Sequence, residues 1–175
     1  MHESNDRTGE DGVALFIDHE NLFISWKEHP SNSDKSNYNY DILVDIARKK
    51  GRLMGACIYL RSDRTSNAHL YNLFKRGITP VYTPQYGKEN GKSLCDPMMI
   101  CDIMQTLYER PFIKTFVIVT GDKDFIPVIR KINEYGKRVI IVGVESTTSQ
   151  ALIEECTRLG FKFLAYETLH RGVRK

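Results

Sequence analysis

Acidic residues that follow or flank short apolar runs are the residues of this sequence most able to do chemistry. Asp18 comes directly after five apolar residues, and Asn21 lies three positions beyond it. Two further segments carry carboxylates: a turn-like Thr-Gly-Asp-Lys-Asp-Phe stretch and a helical pattern that begins near Pro97. The acids of the three segments are Asp18 and Glu20, Asp96 and Asp102, and Asp122 and Asp124.

Carboxylates that converge without a cation repel one another, and each tends to take up a proton. A hard divalent cation removes this conflict, and oxygen ligands suit Mg²⁺ or Mn²⁺ rather than zinc. Because Mg²⁺ usually takes only one or two carboxylates, this many acids indicate two ions, or one ion with an outer shell. Such a site activates water and stabilises charge on a phosphodiester during in-line displacement.

Each acid also has a purely structural interpretation. Asp96, just before Pro97, and Asp124 are both good candidates for the N-cap of a following helix. Asp122 is typical of a turn. Asp102 lies among apolar residues, where an unpaired buried charge is costly, so it faces a cation or a hydrogen-bond partner, or its helix face is exposed. Asp18 fits a structural role least well, because it leaves an apolar strand directly at the sheet edge.

Short apolar runs alternate with longer helical patterns, which predicts an α/β fold. Strands that are apolar on both faces favour a mostly parallel sheet of five to six strands, flanked by helices on both faces. Ligands of such Rossmann-like sheets bind at the carboxyl ends of the strands. The predicted strands are residues 13–18, 54–60, 78–83, 116–120, 138–144 and 161–164, and the predicted helices are residues 38–50, 66–76, 97–108, 125–135 and 149–159.

The length and composition are those of one globular domain. The chain has 175 residues, of which 41% are hydrophobic and 27% charged. We expect a disordered leader over residues 1–12, a domain over 13–166 and a basic C-terminal tail over 167–175. No apolar run is long enough to cross a bilayer, and the first residues lack the pattern of a signal peptide, so a cytoplasmic protein is expected.

The four cysteines do not have the spacing of a zinc site or of a disulfide framework. Cys57 and Cys101 lie in apolar stretches and are interpreted as small core residues. The net charge of +3 permits a polyanionic partner without requiring one.

Two segments give the sequence a family resemblance. Residues 16–22, Phe-Ile-Asp-His-Glu-Asn-Leu, and residues 119–127, Val-Thr-Gly-Asp-Lys-Asp-Phe-Ile-Pro, resemble the signature segments of NYN domains. These are PIN-like ribonuclease domains of the LabA/DUF88 type. Residues 136–143, and Lys92 followed by Asp96 and Asp102, also fit that pattern. The resemblance extends over residues 13–166.

The resemblance implies a parallel sheet of order 3-2-1-4-5 and metal-dependent cleavage of RNA phosphodiester bonds. By position, the acidic catalytic and metal site would be formed by Asp18, Asp96, Asp122 and Asp124. Asp102 would be a further acid near the metal. Asn21 would orient the first loop or bind a phosphate oxygen.

Cationic and aromatic residues near the same sheet edge are candidates for contacts with single-stranded RNA. Solvated loops that carry lysines for solubility explain them about as well. His19 is interpreted as a general base or as a residue that points outward, and Trp26 as a core residue rather than a base-stacking one. The candidates are Arg61, Arg64, Lys88, Lys92, Lys123, Arg130 and Lys131, with Tyr82 and Tyr86 for stacking.

Two other functions compete with a nuclease. A phosphatase of the haloacid dehalogenase type needs a second Asp two residues after the first, but position 20 is Glu. A catalytically silent RNA- or protein-binding module would keep the fold without needing the full set of acids. A homodimer and an accompanying RNA-binding domain or protein are compatible with the sequence, and no membrane partner is expected.

Overall fold

The structure is a computed structural model that describes residues 11–61, 66–83 and 93–173. Within these ranges six strands form one sheet: β1 (Gly12–Asp18), β2 (Arg52–Arg61), β3 (Thr79–Thr83), β4 (Ile113–Val119), β5 (Arg138–Gly143) and β6 (Lys162–Ala165). Their order across the sheet is β3-β2-β1-β4-β5-β6, and every neighbouring pair is parallel. The predicted α/β class and parallel sheet are therefore confirmed.

Seven α-helices lie among the described residues, two more than the sequence pattern predicted. They are α1 (His19–Glu28), α2 (Tyr40–Arg48), α3 (Asn67–Lys75), α4 (Cys95–Glu109), α5 (Ile126–Glu134), α6 (Gln150–Arg158) and α7 (Tyr166–Val173). The α1 helix was missed because it buries only Leu22 and Trp26, one turn apart, which is too sparse a stripe to stand out.

Helices cover both faces of the sheet, as predicted. One core contains Leu15 and Ile17 of β1 with side chains from α1, α2, α3 and α7. The other contains Ala14 and Phe16 with side chains from α4, α5 and α6. Successive strand residues point to opposite faces, so every second residue of β1 enters each core. Trp26 is fully buried and its ring lies 5.0 Å from that of Tyr166, which confirms its interpretation as a core residue.

Residues 167–173 of the expected basic tail belong to α7, and residues 174–175 lie outside the described residues. The Tyr166 hydroxyl accepts a hydrogen bond from the Asn39 backbone N–H at 2.7 Å. The Glu167 carboxylate accepts one from the Glu145 backbone N–H at 3.1 Å. These contacts attach α7 to the segment before α2 and to the segment after β5. Residues 1–10 of the expected leader lie outside the described residues.

The interpretation of Cys101 as a core residue is wrong, because its side chain is exposed. The buried face of α4 is formed by Cys95, Met99, Ile103 and Leu107, which are spaced four residues apart. At 100° per residue, position 101 lies away from this stripe. None of the helices formed by the described residues is long and apolar enough to cross a membrane.

The turn from α2 to β2 requires glycine at position 51. Gly51 has a φ of 147°, and a Cβ there would lie 2.0 Å from the Asp11 carbonyl oxygen. Gly136, which ends α5, also has a positive φ of 66°, but a Cβ there would have no neighbour within 4 Å. A side chain at position 136 would therefore be penalised only by the backbone conformation, whereas one at position 51 would also clash with the Asp11 carbonyl group.

We expect Gly51→Ala to lower the free energy of unfolding by about 3 kcal/mol or more, because the new methyl group displaces the start of β1. Gly136→Ala should cost only about 1 kcal/mol, the penalty for a left-handed alanine. Urea unfolding of both variants measures the difference. Equal losses would contradict the close approach of Gly51 to Asp11.

Candidate functional site

An acidic cavity of about 280 Å³ lies at the carboxyl ends of the central strands. It is located where the strand order reverses between β1 and β4, which is the usual ligand position in open α/β sheets. The three segments predicted to converge do meet here. The polar residues that line the cavity are Asp18, Glu20, Asn21, Ser25, Ser93, Asp96 and Asp122.

Asp18 is buried in the wall of the acidic cavity, with only 5% of its surface exposed. It ends β1 and is the N-cap of α1, where its Oδ1 accepts a hydrogen bond from the Asn21 backbone N–H at 3.1 Å. The Thr120 hydroxyl donates to Oδ2 over 3.4 Å. Two neutral donors therefore orient the Asp18 carboxylate, and no cation lies among these contacts.

The carboxyl groups of the cavity hold protons more tightly than isolated ones do. Burial, and secondly the charge of Asp96, raises the pKa of Asp18 to about 7. The pKa of Asp96 is also raised, first by burial and then by the charges of Asp122 and Asp124. The acids are thus close enough to interact, and charge repulsion within the cavity is relieved either by protons or by a cation.

The turn after β4 is held against α1 by side chains that also contact the acids. The Asn21 Oδ1 accepts a hydrogen bond from the Gly121 N–H at 2.9 Å, so Asn21 holds the turn after β4, a role different from the two that were expected of it. The Thr120 hydroxyl accepts from the Asp122 N–H at 3.2 Å. A Cβ at Gly121 would lie 2.9 Å from the Thr148 Oγ1, which explains the glycine.

Thr120 is a site residue to which sequence reasoning assigned no role. Its hydroxyl joins Asp18 of β1 to Asp122 of the following turn. A polar residue that ends an otherwise apolar strand, next to the Gly-Asp turn, was the available signal. Thr120 is completely buried, so its hydroxyl acts on the orientation of the two aspartates and does not meet solvent.

The structural interpretations of the remaining acids are revised. Asp122 caps a short 3₁₀ helix, Lys123–Phe125, by accepting a hydrogen bond from the Asp124 N–H at 2.9 Å. Asp124 therefore lies inside this turn, with an exposed side chain, and does not cap α5. Asp96 lies within the first turn of α4, whose N-cap is Leu94, so its expected capping role is wrong.

Asp102 does not belong to the acidic cavity, contrary to its expected place near the metal. Its Oδ2 accepts a hydrogen bond from the Tyr59 hydroxyl at 2.6 Å, and it lines a separate cavity of about 220 Å³ with Cys57 and Arg110. Six residues separate it from Asp96, which places it roughly 9 Å further along the helix and on another face. Tyr59 is the partner that a partly buried carboxylate at this position requires.

The candidate RNA-contacting residues are only partly brought to the acidic edge. The Arg61 Nε lies 3.6 Å from the Glu20 Oε1 at the rim, and Lys123 is exposed within the acidic turn. Arg130 and Lys131 lie on α5 and pair with Glu155 and Glu134. Tyr82 is exposed at edge strand β3. The candidates that lie outside the described residues are Arg64, Tyr86, Lys88 and Lys92.

His19 turns away from the acids into an aromatic cluster. Its Nδ1 is hydrogen-bonded to the Tyr38 hydroxyl at 2.7 Å, and its ring packs against Phe23 and His69. Burial, followed by the neighbouring His69, lowers the pKa of His19 to about 4. The imidazole is therefore neutral at physiological pH and has a packing role.

The donor set fits a hard divalent cation only if substrate or water completes the coordination. Within residues 11–61, 66–83 and 93–173, no three His, Cys, Asp or Glu side chains are placed to hold a metal ion by themselves. Two carboxylates with raised pKa values, Asp18 and Asp96, share the cavity. This number matches the one or two carboxylates that Mg²⁺ commonly takes along with phosphate oxygens and water.

Asp18→Asn should make the metal-free protein more stable above pH 7. The unfolded chain releases the Asp18 proton near pH 3.8, whereas the folded protein holds it to about pH 7. The folded state therefore binds more protons between these values, and its stability decreases as the pH rises through them. Asparagine does not titrate, and its amide oxygen keeps the helix cap; its amide nitrogen donates to the Thr120 hydroxyl, which reverses the direction of the second hydrogen bond.

Urea unfolding in EDTA at pH 5 and pH 8 measures this effect. Wild type should lose more stability between the two values than Asp18→Asn does. Asp45→Asn, on the exposed surface of α2, is a matched control that should behave as wild type. An identical pH dependence of wild type and Asp18→Asn would contradict a raised pKa.

Comparison with known proteins reveals relatives without an assigned activity. The structure superimposes on a protein of unknown function from Vibrio parahaemolyticus with a TM-score of 0.73 and 21% identity, covering 90% of this chain and 94% of that one. An uncharacterized protein of Methanocaldococcus jannaschii is 27% identical over 160 residues, which are 90% of this chain and 59% of that protein. The chain thus spans about three fifths of this curated relative.

A family model identifies the domain itself. The model of the NYN domain matches residues 12–162, which include all three acid-bearing segments and nearly the whole sheet. The observed strand order contains the 3-2-1-4-5 arrangement that the resemblance implied, with β6 added beside β5. The chain belongs to the NYN domain family.

Proposed function

We propose that this protein is a metal-dependent ribonuclease that cleaves phosphodiester bonds of single-stranded RNA. The observation that carries the proposal is the acidic cavity at the strand-order reversal, in which Asp18, Asp96 and Asp122 come from three separate segments. Membership of a PIN-like family supports the same chemistry. RNA as the substrate follows from the family resemblance, and the cavity supplies the acidic groups.

In this proposal Asp18 and Asp96 bind Mg²⁺ or Mn²⁺. Asp122, which lines the same cavity, would hold a second ion or belong to the outer shell of the first, and the exposed Asp124 would add negative charge at the rim. The bound cation supplies activation of water and stabilisation of charge on the phosphodiester. Thr120 and Asn21 are positioning residues, since their hydrogen bonds fix the Asp18 carboxylate and the Gly121 turn.

Cationic groups at the rim would bind the phosphates that flank the scissile bond. Lys123 lies in the acidic turn, and the Arg61 guanidinium lies beside Glu20 at the mouth of the cavity. Lys92 is assigned the same role on its sequence position alone. Binding through these groups weakens as salt increases, because each phosphate contact releases counterions.

A catalytically silent RNA- or protein-binding module is the competing function. Two observations favour it: the described residues contain no ready-made group of three metal ligands, and Asp18 and Asp122 both cap helices. Capping leaves Asp96 unexplained, however, because it makes no cap bond and lies half-buried against other acids. A module without a cation would gain stability by replacing such an acid.

The test is incubation of purified protein with labelled single-stranded RNA in Mn²⁺, Mg²⁺ or EDTA. We expect cleavage with either metal and none in EDTA. Asp18→Asn and Asp122→Asn should each reduce the rate by at least about 100-fold, because they remove charge that holds the cation, while the fold persists.

Asp102→Asn is the matched control. It changes an acid of the same helix as Asp96 but lies in the other cavity, so cleavage should stay within about threefold of wild type. Cleavage in EDTA, or activity that survives both Asp18→Asn and Asp122→Asn, would refute the mechanism. RNA binding without cleavage in any metal would establish the silent module.

A further inference from the structure

The edge of the sheet opposite the acidic cavity carries an unusual pair of lysines. Thr115 of β4 and Arg138 of β5 are register partners, so the residues just before them, Lys114 and Lys137, are neighbours across the two strands. Like charges directly opposite each other are destabilising in a sheet. Burial, followed by the charge of Lys114, lowers the pKa of Lys137, as expected for two ammonium groups in close proximity.

This pair is held in place by the two loops that meet at the same edge. The Lys137 Nζ donates a hydrogen bond to the Pro111 carbonyl oxygen at 2.7 Å, which joins the loop before β4 to the loop before β5. Both loops, and the ends of the helices before them, therefore present a defined surface. An anion between the two ammonium groups would relieve their repulsion.

Three exposed aromatic rings lie at the same end of the sheet, in the helix ends and the loop that lead into β4 and β5. Tyr108, Phe112 and Tyr135 are each about half exposed, at 55%, 50% and 48%. The rings of Tyr108 and Tyr135 are in edge-to-face contact, with centroids 5.2 Å apart. We call Tyr108, Phe112, Lys114, Tyr135 and Lys137 the lysine–aromatic surface.

The carboxylates near this surface already have partners. Asp11 pairs with Arg138, and Glu134 pairs with Lys131. The Glu109 Oε2 accepts a hydrogen bond from the Gln105 side chain at 2.9 Å. Glu109 keeps its negative charge because its partner is a neutral amide, but Lys114 and Lys137 outnumber it; Asp11 also has a weak opposing effect on Lys137.

We infer that the lysine–aromatic surface is a second contact for single-stranded RNA, separate from the acidic cavity. Proteins that hold unpaired strands combine cations for the phosphates with aromatic rings on which bases stack, and this surface has both. The inference rests on the proposed function in one respect, the choice of RNA as the polymer. A protein partner fits less well, because lysines are depleted at the centres of protein interfaces.

The surface lies one strand length from the acidic cavity. β4 has seven residues, Ile113–Val119, and at about 3.3 Å per residue it separates the two edges by roughly 20 Å. A long strand can therefore contact both edges, while a short oligonucleotide occupies only one. The lysine–aromatic surface would retain a long substrate after a cut at the acidic cavity.

The experiment measures binding of labelled single-stranded RNA by fluorescence anisotropy in EDTA, over a range of salt concentrations. Lys114→Gln/Lys137→Gln should make the slope of log K against log salt less steep by about 1.4, which corresponds to two lost phosphate contacts. Phe112→Ala/Tyr135→Ala should weaken binding at least about fivefold for each ring and leave that slope unchanged.

Matched controls come from α3, which lies beside β3 at the far end of the strand order. Lys75→Gln and Phe74→Ala remove an exposed lysine and an exposed aromatic ring, and both should bind RNA as wild type does. Lys114→Gln alone keeps the Lys137–Pro111 hydrogen bond and should reduce the slope by about 0.7 without lowering thermal stability.

The outcome separates this inference from the proposed function. Because binding is measured in EDTA, a loss of affinity in the surface variants supports the inference even if no metal produces cleavage. Cleavage of a short oligonucleotide by Lys114→Gln/Lys137→Gln should remain at the wild-type rate. Unchanged affinity and salt slope in all surface variants, or equally tight binding of duplex RNA, would overturn the inference.

Discussion

Formation of the sheet buries the Asp18 carboxylate, and the residues around it offset the free energy that is lost with its hydration. Burial of a charged group without a compensating partner is expensive; here two neutral hydrogen-bond donors compensate in part, and the remaining cost raises the pKa of Asp18. Thr120, the Gly121 turn and the first turn of α1 are all arranged around this one group. The position at the reversal of strand order makes the arrangement accessible from outside.

The two ends of the sheet have opposite electrostatic character. Carboxylates from three segments meet at the carboxyl ends of the strands, whereas Lys114 and Lys137 meet at the other end. Both arrangements bring like charges together, which folding alone does not favour. In the functions proposed above, a cation at one edge and phosphates at the other would offset this repulsion.

Much of the fold could be predicted from sequence, because strands apolar on both faces and glycine-terminated helices leave few alternatives. The helix α1 could not, since a stripe of only Leu22 and Trp26 has no clear periodicity. At the site, Asp18 and Asp122 follow from strand ends, and Asp96 follows from the start of a predicted helix. Asp102 was misplaced because its partner, Tyr59, is 43 residues away and no local pattern connects them.

The Tyr59–Asp102 hydrogen bond has a mechanical consequence for α4. Apolar packing of a helix on a sheet tolerates sliding, because one aliphatic side chain can take the place of another a turn away. The buried hydroxyl of Tyr59 does not tolerate such sliding, because its hydrogen-bond partner is one particular carboxylate, that of Asp102. A slip of one turn would move Asp96 by about 5.4 Å, away from Asp18 and out of the acidic cavity. The Tyr59–Asp102 hydrogen bond therefore fixes the register of α4 against β2, and the amide oxygen of an asparagine at position 102 can accept the same bond.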